Sequence, residues 1–170
     1  MKWTIATVFL MGALTAQAGE GPTPQPFHNG DLVGAWKYVE AYTELSDGTK
    51  IDQFGPNPLG VFIILANGVC SHIVMESNLP AVKSGLLKHL TADEAMHLAT
   101  GSLSWYGTCK MDGESGTFTA TIEHSDFPNF DGVEQTRVVT TLTRETLQYV
   151  NPLTTSGHGA KVFAVLRRIW

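Results

Sequence analysis

Cysteine is scarce in this 170-residue chain: there are two, Cys70 and Cys109, and no Cys/His spacing of the kind that builds a structural zinc site. Basic residues are few as well. Eleven Lys and Arg stand against 16 Asp and Glu, for a net charge of -5, and no basic cluster precedes the Arg167-Arg168 pair. That balance argues against nucleic acid and anionic membrane surfaces as partners. There is no serine-histidine-acid order, glycine-rich phosphate loop or dinucleotide fingerprint, which removes the usual sequence support for a hydrolase, kinase or dehydrogenase. Neither a metal nor a cofactor is expected. No apolar run reaches the roughly 20 residues that span a bilayer, so stable membrane insertion is not expected either.

What is present begins with MKWTIATVFLMGALTAQA, in which Lys2 precedes an apolar run from Trp3 to Leu14 and a small-x-small end at Ala16-Gln17-Ala18. This reads as a secretory signal over residues 1–18, removed after Ala18, and predicts a secreted or periplasmic protein. A membrane anchor is the weaker reading, because the run is short. The next stretch, GEGPTPQPFHNG at 19–30, is rich in glycine and proline with little to bury, and is expected to be a flexible arm. Residues 31–170 then suit one domain with its own core. In an oxidising compartment the two cysteines could form a disulfide; two buried free thiols are the alternative.

From position 31 onward, short apolar-alternating runs follow one another between turn formers. They fall at 33–45, 60–66, 69–76, 103–111, 116–124, 133–143, 145–150 and 161–169, separated by Asp47-Gly48, Gly55-Pro56-Asn57-Pro58, Asn67-Gly68, Asp112-Gly113, Pro128-Asn129 and Ser156-Gly157. The pattern predicts an all-β protein: an antiparallel up-and-down barrel of about eight strands. One segment interrupts it. Thr91-Ala92-Asp93-Glu94 has the form of a capping box, and Ala95, Met96, Leu98 and Ala99 supply the apolar side of a short helix that caps the barrel as a lid or plugs its floor.

Period-2 alternation in LVGAWKYVEAY places Trp36, Tyr38, Glu40 and Tyr42 on one face, expected to point inward. Glu40 would then stand in an aromatic-lined cavity, where desolvation raises a carboxyl pKa; the alternative leaves it in water at the strand end. In HSDFPNFDGVEQTR, residues 124–137, strand, bend and strand carry unusually many polar groups. Glu123 and Ser125 share a face of the first strand, Gln135 and Arg137 a face of the second, and Glu123 could pair with Arg137 across the hairpin. If that face is interior, it forms a polar wall able to orient a carbonyl, carboxylate or enolate; otherwise it is a solvated ion pair. The candidate catalytic residues are Arg137 as charge partner with Glu123 or His124 as base. Tyr38, Glu40, His72, Tyr106, Ser125 and Gln135 are the candidate ligand-binding residues, although a lone histidine in an apolar strand such as His72 is more often a hydrogen-bonded structural residue.

The blocks LVGAWKYVEA, SDGTK, FGPNPLG, LANG, WYGTCKMDG, EHSDFPNFDGVEQTR and AVLRRI, taken in order, resemble the lipocalin-like domain family from about residue 31 to the C-terminus. The resemblance implies a lipocalin-type barrel with a small-molecule cavity and no defined reaction. It also implies that Trp36, in Gly34-x-Trp36, is covered at the closed end by Arg167 or Arg168. The chain departs from the family pattern at Thr121, where a histidine is expected four residues before Ser125, with His124 displaced beside the serine. Cys70 and Cys109 replace bulkier residues of that pattern, which favours their pairing across adjacent strands.

The function expected is binding of a small, largely apolar or amphipathic molecule with a carbonyl or acid group. The alternative is a cofactor-free isomerase, cyclase or dehydratase of secondary metabolism on the same barrel. A third reading is a barrel filled by its own side chains. The sequence carries no signal of oligomeric state.

Overall fold

The computed structural model describes residues 22–152 and 159–169. The expected signal segment, the first residues of the arm and the Ser156-Gly157 turn lie outside the described residues. The strands are β1 (Gly34–Glu44), β2 (Lys50–Ile51), β3 (Leu59–Ile64), β4 (Val69–Met75), β5 (Ser102–Asp112), β6 (Thr117–Ser125), β7 (Glu134–Leu142), β8 (Thr146–Asn151) and β9 (Lys161–Arg168). They pair in the order β2-β1-β3-β4-β5-β6-β7-β8-β9, all antiparallel, and β1 also pairs with β9. The barrel is therefore closed by β1 and β3 to β9, as the alternation and turn signals predict. The short β2, not anticipated, adds to the far end of β1 through Thr43↔Ile51.

Local chemistry sets the hairpins. At Asn67-Gly68 the glycine takes φ +87°, and the Asn67 side chain accepts from the Val69 N–H at 3.1 Å, the self-turning habit of asparagine. Two α-helices, α1 (Asn29–Leu32) and α2 (Ala92–Thr100), and two 3-10 turns, Leu87–His89 and Pro128–Phe130, complete the described fold. The expected capping box is present: Thr91 Oγ1 accepts from the Glu94 N–H, and Glu94 Oε2 accepts from the Thr91 N–H at 2.8 Å. α2 buries none of its residues, so it does not plug the floor.

At the closed end Trp36 is fully buried, donates from Nε1 to the Leu32 carbonyl at 2.9 Å, and lies under the Arg168 guanidinium, 4.0 Å from the ring centre. Arg168 is thus the covering arginine. Leu32 of α1 fills the same end. The arm is tied here over part of its length. Gln25 and Phe27 donate backbone N–H groups to the Val139 and Gly113 carbonyls, and Phe27 packs on the core that it was expected to lack. Cys70 and Cys109 face each other across β4 and β5 and form a disulfide, with Cα atoms 5.8 Å apart.

Bulges in β1 and β6 decide where the candidate site residues point, and a third in β7 leaves Thr140 as an extra residue. In β1, Tyr38 pairs with Leu166 and Glu40 with Val165, leaving Val39 as an extra residue. The inward set after the bulge is Ala41 and Thr43, so Glu40 is exposed and Tyr42 stacks outside on Phe163. The expectation that Glu40 lines an aromatic cavity is corrected by this one-residue phase shift. In β6 the extra residue is Glu123, between the pairs Tyr106↔His124 and Gly107↔Ile122. Gly107 is required there: a Cβ would lie 2.0 Å from the Thr121 carbonyl oxygen.

Candidate functional site

The β6–β7 register is Phe118↔Arg137 and Ala120↔Gln135. Arg137 and Gln135 therefore share the inward face with Phe118, Ala120 and Ile122, all buried, whereas Glu123 stands in solvent on its bulge. The cross-hairpin pair Glu123–Arg137 does not form, because the two residues occupy opposite faces. His124 is exposed and pairs with Asp131 at 3.0 Å, its ring beside the exposed Tyr106. Ser125 donates to the Ser104 carbonyl at 2.9 Å. Tyr106, His124 and Ser125 meet on a shallow outer depression and do not line the inner cavity.

The interior holds what the other candidates build. Tyr38, His72, Gln135 and Arg137 all line one cavity of about 50 Å³, with Trp105 and Tyr149. Most of the barrel is thus occupied by side chains. Arg137 is 3% exposed, and its guanidinium carbon lies 5.1 Å from the Trp105 ring, 5.7 Å from Phe118 and 5.9 Å from Tyr149. Gln135 takes two of its N–H groups, one on the backbone carbonyl at 3.1 Å and one on Oε1 at 2.9 Å; an arginine has more donors than these. Asn151 Nδ2 also donates to Gln135 Oε1 at 3.3 Å. Among the described residues no carboxylate lies within ion-pairing distance of Arg137. Burial lowers its pKa, opposed by Tyr149 and Tyr38, yet an arginine remains charged.

Beside it runs a hydrogen-bonded chain. Tyr38 Oη lies 2.7 Å from His72 Nε2 and 2.6 Å from Tyr149 Oη. Burial first, and then the Arg137 charge, pull the His72 pKa down to about 3, so the imidazole is neutral. It stacks on Trp105 with ring centres 5.1 Å apart. Its Nδ1 is the one buried side-chain polar atom without a hydrogen-bond partner among the described residues. A bare lone pair there costs less than a stranded N–H, which favours the tautomer protonated at Nε2. With that tautomer His72 would donate to Tyr38 and Tyr38 to Tyr149, leaving the Tyr149 hydroxyl proton for the cavity beside Arg137. Burial raises the pKa of both phenols, so both stay protonated.

Tyr149, Trp105 and Phe118 were not among the sequence candidates. Their signal was the alternation itself: Leu147 and Tyr149 share a face of β8, and Phe118, Ala120 and Ile122 form the apolar face of β6.

A sequence model of the lipocalin-like domain family matches residues 33–169. No curated protein matches the chain in sequence. Solved structures with a similar course include a biogenic amine-binding protein, 13% identical with a TM-score of 0.47, covering 89% of this chain and 71% of that one. The bovine odorant binding protein in complex with a selenium-containing odorant is 12% identical with a TM-score of 0.43, covering 93% and 78%. A de novo designed fluorescence-activating β-barrel is 10% identical with a TM-score of 0.42, covering 84% and 99%.

Proposed function

The chain belongs to the lipocalin-like domain family, and from that premise we propose that it binds a small, largely apolar molecule through an anionic head, a carboxylate or enolate, held inside the barrel. The observation that carries this reading is Arg137, buried among aromatic rings without a carboxylate partner among the described residues. A buried ion costs several kcal/mol, and here the partners are neutral: the Gln135 amide and carbonyl, the Tyr149 hydroxyl and aromatic rings. An incoming anion would supply the missing charge. The Tyr149 hydroxyl and the guanidinium would both donate to it, while Tyr38, His72 and Gln135 hold those two groups in place.

A catalytic reading, a cofactor-free isomerase, cyclase or dehydratase, draws on the same pair, since donors aimed at one point stabilise a developing oxyanion. It needs a base as well. Glu123 and His124 lie outside the cavity, and His72, with a pKa of about 3, is a weak one. Binding is therefore the better supported function. Export from the cytoplasm belongs to the same proposal, supported by the disulfide and the N-terminal signal pattern.

The experiment compares butanoate with butanamide by NMR titration at neutral pH. The anion is expected to bind at least about tenfold more tightly, a difference of 1.4 kcal/mol. Equal binding of acid and amide would remove the basis of the proposal.

A further inference from the structure

A cavity of about 50 Å³ holds a head group and not a whole ligand, since small-molecule sites run to about 300–1,000 Å³. The rest of the molecule needs another place, and the open end of the barrel offers one. Residues 77–100 leave the barrel as a single loop, closed at its neck by the Glu76 N–H on the Gly101 carbonyl at 2.8 Å. Glu94 holds the loop together: besides the capping box, Oε1 accepts from the Lys83 N–H at 2.9 Å. The loop nevertheless keeps its apolar groups exposed, Leu87 at 77% and Met96 at 63%.

Between α2 and the barrel rim lies a cleft of about 550 Å³, lined by Leu90, Ala95, Leu98, Ala99, Leu103 and Phe127 among others. It adjoins the inner cavity, for Gln53 and Leu103 line both. The division between them is Phe127 on the cleft side packed edge-on against Phe130 on the cavity side, ring centres 5.1 Å apart.

We propose that this cleft is the second half of the ligand site: it takes the apolar chain of an anionic amphiphile whose head sits at Arg137. The inference rests on the head-group reading above and extends it to a ligand class, medium-chain or ring-bearing monocarboxylic acids. The size of the cleft and its place directly beside the inner cavity favour this occupant over a second copy of the chain. The head alone fills the inner cavity, and a chain leaving it between Leu103 and the Phe127–Phe130 pair would meet the cleft next.

The test is a titration series of butanoate, octanoate and decanoate, with decanol as the uncharged control, against the wild type, Ala99→Trp and Arg137→Met. Ala99 is an exposed residue of α2 that lines the cleft, so tryptophan there obstructs the cleft while replacing no core side chain. In the wild type each added methylene that enters the cleft should tighten binding about three- to fourfold, the equivalent of about 0.8 kcal/mol. Ala99→Trp should abolish that gain while butanoate binds as before. Decanol should bind the wild type and Arg137→Met alike, and Ala99→Trp poorly. If butanoate binds but chain length has no effect, or Ala99→Trp changes nothing, the cleft is not a subsite and the head reading stands. If butanoate fails to bind while decanol binds in an Ala99→Trp-sensitive way, the head reading fails and the cleft stands, as a site for neutral chains. A wild type that is dimeric by light scattering, an Ala99→Trp variant that is monomeric and no chain-length effect would mean that a second copy fills the cleft, and would overturn the proposal.

Discussion

The guanidinium of Arg137 lies 5.1 Å over the indole of Trp105, inside a barrel whose described residues offer it no carboxylate. Such a group is a liability to folding and an asset to binding. Arg137→Met should therefore leave stability unchanged or raise it by about 1–4 kcal/mol, as replacement of buried ions by apolar side chains commonly does. The same change should weaken carboxylate binding by about 2–5 kcal/mol. Urea midpoints and octanoate titrations on the same preparations check both halves; a variant that is less stable and binds as the wild type does would contradict the account.

His72 gives a pH dependence with a definite sign. Its pKa is about 3 folded against 6.5 as a free side chain, so between those values the unfolded chain holds more protons and stability rises with pH. Its contribution is complete above pH 6.5 and falls by about 1.4 kcal/mol per unit below it. From pH 7 to 5 the loss should be about 2 kcal/mol, and His72→Phe should remove most of that dependence. The depressed carboxyl groups Asp47, Glu94, Asp112 and Asp131 act in a lower window. Equal slopes for the two proteins would show that His72 titrates in the folded state.

Trp36 and Arg168 close the floor. Trp36→Ala should cost about 3–5 kcal/mol, since the ring is fully buried. Arg168→Ala removes the stacked cation and its hydrogen bonds to the Asp31, Val33 and Arg144 carbonyls, for about 1–3 kcal/mol. Equilibrium denaturation of both variants checks the order; a larger loss from Arg168 would reverse the assignment of the indole as the dominant packing group.

Reduction should open the Cys70–Cys109 loop, whose ends are 39 residues apart in sequence, and lower stability by about 3–4 kcal/mol by the chain-entropy relation. Denaturation with and without reductant measures it, and an unchanged midpoint would mean that the bridge leaves the unfolded ensemble unconstrained.

Strands and turns were legible because period-2 apolar runs and Asn-Gly or Asp-Gly pairs are local signals. The capping box at Thr91 and the covering of Trp36 were legible for the same reason or through family resemblance. The site was legible only in part. Within β7, alternation correctly groups Gln135 with Arg137, but their relation to Glu123 depends on register and on a bulge, which are non-local. Val39 and Glu123, the extra residues of the β1 and β6 bulges, carry no distinctive side chain, so the phase shifts that expel Glu40 and Glu123 from the interior leave no local mark. Tyr149 joins Tyr38 and His72 only through barrel closure, across 111 residues of sequence.

The central claim, an anion held by Arg137, is tested most directly by the ionisation of a bound acid. Octanoate labelled with ¹³C at the carboxyl carbon, bound to the wild type, should keep the ¹³C shift of a carboxylate at pH values where the free acid is already protonated, because the guanidinium and the Tyr149 hydroxyl stabilise the charged form. A bound carboxyl pKa above that of the free acid would mean that the head enters as the neutral acid, and would contradict the account.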